Sequence, residues 1–63
     1  MQIYPGKFFV CHQHLAPISG ATVEVVGIEK ERVFFKSDHK YLDTWGFSCS
    51  RDRFEQDFAE VQP

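Results

Sequence analysis

Residues 21–37, ATVEVVGIEKERVFFKS, constrain this chain more than any other stretch. Thr22, Val23, Val25, Val26 and Ile28 form one arm, Val33, Phe34 and Phe35 the other, with Glu29-Lys30-Glu31-Arg32 between them. β-Branched and aromatic residues suit a pleated, half-buried surface, so the stretch predicts two strands joined by a tight polar turn. Val23 and Val25 share one face of an ideal strand, whereas Val26 and Ile28 share the other. Apolar residues thus change faces midway, with Gly27 just past the change. A bulge or sharp bend at Val26-Gly27 accounts for both features.

A chain of 63 residues makes one domain, 1–63, with a modest core and marginal stability. Seven Phe, two Tyr and one Trp supply the core material. Each buried ring removes roughly 150–250 Å² from water, worth several kcal/mol at about 25 cal/mol per Å² as an upper bound. Large rings are therefore the expected substitute for a metal or a disulfide framework, and no cofactor is implied. Cys11 and Cys49 read as two reduced, buried thiols, with a single bridge as the alternative. The start of the chain lacks an apolar leader segment, and the apolar runs are too short to span a membrane, which leads to a cytoplasmic placement and no membrane partner. A net charge of −2 weighs against a strongly basic nucleic-acid binder, although charge distribution matters more than the sum.

Along the chain, Tyr4-Pro5-Gly6 is a turn signal. Residues 7–13 predict a first strand with Phe8, Val10 and His12 on one face and Phe9, Cys11 and Gln13 on the other. With large rings on both faces, one of Phe8 and Phe9 is expected to pack under a loop. Residues 15–20, with Pro17 and Gly20, read as a loop. Ser37-Asp38-His39-Lys40 forms a second polar turn. Residues 41–49 predict a fourth strand, with Tyr41, Trp45, Phe47 and Cys49 on one face. Ser50 is a good N-cap, and Asp52 suits the first helical turn. Phe54, Phe58 and Val61 follow i, i+4, i+7 spacing, and Cys49 with Phe54 makes a hydrophobic staple. A short helix, α or 3₁₀, is expected over 51–58, and 59–62 can add a last strand. The fold class is mainly β: a small SH3-like antiparallel barrel of four to five strands with a short C-terminal helix. That layout alone carries no function.

Pro5-Gly6-x-Phe8, Val23-x-Val25-x-x-Ile28, Val33-x-Phe35, an aromatic near Tyr41, and Ser50-x-x-x-Phe54-x-x-x-Phe58-x-x-Val61 follow one another along the chain. This order resembles a family of short uncharacterised proteins encoded by enterobacterial prophages, and more loosely KOW-type and other SH3-like modules. The pattern covers most of the chain and consists of core and turn residues. The resemblance implies a phage or prophage accessory protein with a compact β fold and transfers no catalytic residue.

Two constellations carry candidate chemistry. The first is Cys11-His12-Gln13-His14 with His39 and Cys49. Zinc takes thiolate and imidazole ligands tetrahedrally, and Cys11, His14, His39 and Cys49 are the donors for a small zinc-binding domain. The spacing matches no known finger, and adjacent strand residues point to opposite faces. The plain alternative is core thiols beside surface histidines. A Cys–His nucleophile would also need an oriented imidazole and an oxyanion hole, and no third group is suggested. Asp52 and Glu55 read as a helix-dipole partner and a solvated face rather than an acid–base pair.

The second constellation joins Phe34, Tyr41 and Trp45 with Arg32, Lys36, His39 and Lys40. Aromatics interleaved with cations can stack bases and neutralise phosphates. The same residue types anchor protein interfaces, and Phe34 and Trp45 can equally be core. Arg51, Arg53, Glu55, Asp57 and Glu60 form either a solvated helix face or a charged docking patch. The function expected from these readings is a non-enzymatic interaction module that binds, and can inhibit, a host protein. A nucleic-acid-binding module is the alternative and the zinc domain a second one. Homo-oligomers are a further option, because edges on so small a sheet invite pairing.

Overall fold

A computed structural model of the chain describes residues 2–12 and 19–61. Its five strands are β1 (Phe8–Cys11), β2 (Thr22–Glu29), β3 (Arg32–Lys36), β4 (Ser48–Ser50) and β5 (Phe58–Glu60). They form one antiparallel sheet in the order β4-β3-β2-β1-β5. A 3₁₀ helix (Lys40–Trp45) separates β3 from β4, and helix α1 (Arg51–Asp57) separates β4 from β5. The fold is therefore mainly β with a short late helix. The sheet stays open, because α1, rather than a ladder of hydrogen bonds, connects its two edges.

The β2–β3 hairpin forms where its residues dictate. The register shifts between Val25 and Gly27, so Val26 is the extra residue of a bulge. The shift places Ile28 opposite Val33, which is buried, and so re-aligns the apolar positions that change faces in an ideal strand. Lys30 at the hairpin tip has φ +56°, a left-handed conformation that an L side chain resists. The expected turn at Tyr4-Pro5-Gly6 is present. Gly6 has φ +92°, and its N–H donates to the carbonyl of Val25 at 2.8 Å.

Ser50 caps α1 as its side chain allows, its Oγ accepting the N–H of Arg53 at 3.2 Å. Phe54 and Phe58 then enter the core. Their rings stack at 4.5 Å, and Phe54 meets Phe9 edge-on at 4.9 Å. Phe35 leans on both, and Val23, Val25, Val33, Leu42 and Cys11 complete the interior.

Several expectations give way. Residues 41–49 do not form one strand. His39 Nδ1 accepts the N–H of Tyr41, Thr44 Oγ1 donates to the Tyr41 carbonyl, and Gly46 ends the 3₁₀ helix at φ +68°. These local bonds outcompete a ladder, and they bury Leu42 while Tyr41 stays exposed. Phe8 does not pack under a loop. β1 lies between β2 and β5, so Phe9 and Cys11 face the core and Phe8 is 49% exposed. Val61 does not join Phe54 and Phe58, because the chain is extended from Phe58 onward. Asp57 is buried and does not belong to a solvated helix face. The end of the expected first strand at Gln13, most of the 15–20 loop, and the end of the last strand at Gln62 lie outside the described residues.

Candidate functional site

The expected aromatic and basic rim is divided among separate elements. Trp45, at the end of the 3₁₀ helix, is half-buried with its ring perpendicular to Phe58 at 6.1 Å. The Arg53 guanidinium stands 4.1 Å above the Trp45 ring, and its Nε donates to Asp57 Oδ2 at 3.1 Å. The three side chains make a ladder from the surface to a buried carboxylate. A cation over an indole face is attracted by the ring quadrupole, so Trp45 and Arg53 hold each other in place. Arg32 donates from Nε to Ser48 Oγ at 3.1 Å. Arg32, Trp45 and Arg53 line one open groove along β4, together with Thr44, Ser48 and Ser50.

The other members lie elsewhere. Lys36 pairs with Glu24 across β2–β3 at 3.4 Å. Arg51 pairs with Glu55 at 3.3 Å along α1. His39 and Tyr41 pack ring to ring at 5.8 Å beside exposed Lys40 at the start of the 3₁₀ helix. Phe34 is half-buried on the outward face of β3, flanking Arg32 near the hairpin tip.

Cys11 and Cys49 are both free and buried. Burial pushes the Cys49 thiol up to about 11, against the pull of Arg53 and Arg32. That direction is the reverse of what an activated thiolate needs. Among the described residues no group of three or more His, Cys, Asp or Glu side chains converges on a point. His14, the fourth proposed zinc ligand, lies outside them. Also among the described residues, no helix is long and apolar enough to cross a membrane.

A second surface was not singled out by the sequence. Opposite residues of antiparallel strands share a face. Phe8 pairs with Glu24 on one side, and on the other its carbonyl accepts the N–H of Val61 at 3.3 Å. Glu24 in turn pairs with Lys36. The outward row therefore reads Val61, Phe8, Glu24, Lys36: apolar over β5–β1 and charged over β2–β3. Val61 is 47% exposed, and the next outward row adds half-buried Val10 beside Ala59. At the same end of the sheet, Lys7 Nζ lies 5.1 Å from the Tyr4 ring and pairs with Glu60. The alternation Phe8-Phe9-Val10-Cys11 held the signal for this face, but only strand pairing decides which ring is outside.

The chain matches no family model, no curated protein and no solved structure.

Proposed function

We propose that this protein is a non-enzymatic interaction module, an accessory protein of phage or prophage type that binds a host protein through the outward face of its sheet. The observation that carries the reading is the apolar pair Phe8 and Val61, side by side and about half exposed on the outward face of the sheet. Exposed apolar residues in a contiguous group, rimmed by charge, are a mark of protein contact surfaces. Glu24 and Lys36 supply that rim. A nucleic-acid reading would need Arg32, Lys36 and Lys40 on one rim beside exposed rings. Instead Lys36 is tied to Glu24, and Arg32 and Lys40 belong to different elements.

The test is capture from an enterobacterial lysate by the tagged chain, with and without nuclease, using wild type and Phe8→Ser. The expected outcome is a discrete host protein that survives nuclease and is lost with Phe8→Ser. Nuclease-sensitive recovery of RNA or DNA, unaffected by Phe8→Ser, would overturn the reading in favour of nucleic acid.

A further inference from the structure

The edge of β4 offers a different kind of contact. The carbonyl of Phe47 accepts the N–H of Phe35 at 2.9 Å, and Arg51 N–H donates to the Glu31 carbonyl. Cys49 lies between these bonds, in register with Val33. In an antiparallel ladder, hydrogen-bonded and non-bonded pairs alternate. Cys49 therefore turns its backbone groups toward β3, while Ser48 and Ser50 turn theirs outward. Ser50 commits its carbonyl to the start of α1, which leaves the Ser50 N–H and both backbone groups of Ser48. Ser48, 7% exposed, lines the groove, and its N–H and C=O have no backbone partner among the described residues. Polar backbone groups in such a place favour a partner that completes them.

The groove is cationic. Arg32 flanks the edge from the outward face and makes no ion pair among the described residues. Arg53, on Trp45, flanks it from the core side. Both arginines line the groove with Cys49, and Arg53 also holds the Asp57 carboxylate.

We propose that this edge docks an extended acidic segment of a partner protein. The segment adds to β4 as an antiparallel strand and presents carboxylates to Arg32 and Arg53. Main-chain bonds to Ser48 and Ser50 supply affinity, and alternate side chains reach the two flanks of the edge. A second copy of this chain fits poorly, because pairing β4 with itself about a two-fold axis brings like arginines together. A long polyanion also fits poorly, because beyond Arg32 the adjoining recess is lined by Glu29 and Glu31. The inference rests on the reading of the chain as a protein-binding module, but it uses another surface than Phe8, so the two fail separately.

The experiment titrates the full ¹⁵N-labelled chain with an N-acetylated Thr-Val-Glu-Glu-Thr peptide, whose adjacent glutamates face opposite flanks of an added strand, with the same peptide carrying Lys for Glu, and with an octamer of uridylate. Saturating shifts of the Ser48 and Ser50 amides by the Glu peptide are expected. The Lys peptide should bind at least tenfold more weakly, and Arg32→Glu and Arg32→Met should each weaken the Glu peptide in the same direction, with native spectra. Phe8→Ser should leave this binding unchanged even where it abolishes capture of a host protein. Equal response to the Lys peptide, shifts centred away from β4, no shift at all, or tighter binding of the uridylate octamer would each overturn the proposal.

Discussion

At the β4 edge, two arginines and a tryptophan surround a strand of three residues, two of them serines, and a buried carboxylate anchors one of the arginines from below. At the β5 edge, an equally short strand carries an ion pair between Lys7 and Glu60 on one face and the exposed Phe8–Val61 pair on the other. The first edge has polar groups that a partner could satisfy. The second has apolar surface that a partner could remove from water. A seven-residue helix joins them, so both depend on how α1 seats its phenylalanines. The difference teaches that a domain with little interior can still separate two contact chemistries, because its edges are finished by side chains from different segments.

The largest expected effect comes from removing what both edges share. Phe54→Ala takes a fully buried ring from between Phe9 and Phe58. The loss of about 3–5 kcal/mol is comparable to the whole stability of so small a core. The variant should be largely unfolded by circular dichroism at 25 °C, and a cooperative melt at the wild-type temperature would contradict the packing described.

The next test separates the edges. Arg53→Met removes the cation from Trp45 and leaves the Asp57 carboxylate without the Arg53 guanidinium. A destabilisation of about 2 kcal/mol is expected from urea titration. Phe8→Ser at the opposite edge should cost less than about 1 kcal/mol, since half of that ring already faces solvent. Equal costs would show that the two edges do not differ in structural commitment.

A pH series sharpens the β4 side. The folded Cys49 thiol titrates near 11 rather than at its ordinary 9.0, because burial disfavours the thiolate. A raised folded pKa stabilises the protein fully below pH 9, and that stability is lost as pH rises toward 11. The loss is roughly 1 kcal/mol by pH 10. Cys49→Ala should flatten this alkaline slope relative to wild type. At the β5 edge the sign reverses. The hydrogen bond and charge of Lys7 hold the Glu60 carboxyl below its usual range, so its small contribution fades only in acid. The smallest expected effect is a gain: Lys30→Gly relieves the positive φ at the hairpin tip and should raise stability by up to about 1 kcal/mol in the same urea assay.

Much of the fold is legible residue by residue. The hairpin, its bulge at Val26-Gly27, the Tyr4-Pro5-Gly6 turn and the Ser50 cap each follow from local chemistry within a few positions. Residues 41–49 mislead because alternating rings satisfy a strand pattern. The competing signal, His39 capping ahead of buried Leu42 and Gly46 ending the turn, is weak in sequence. Of the candidate site, Arg32, Trp45 and Arg53 come together, whereas Lys36, Lys40, Tyr41 and Arg51 go to other surfaces.

The amino-acid sequence by itself determines a small, mainly β domain with an aromatic core and a late capped helix, because strand propensity, turn chemistry and capping act over short range. Tertiary structure alone decides which of two adjacent phenylalanines faces solvent, that Asp57 is buried under Arg53, and that Arg32 and Arg53 flank one edge. Each of those outcomes depends on which strands become neighbours. Pairing is a property of the whole sheet, set by burial on its common face rather than by any residue's own preference.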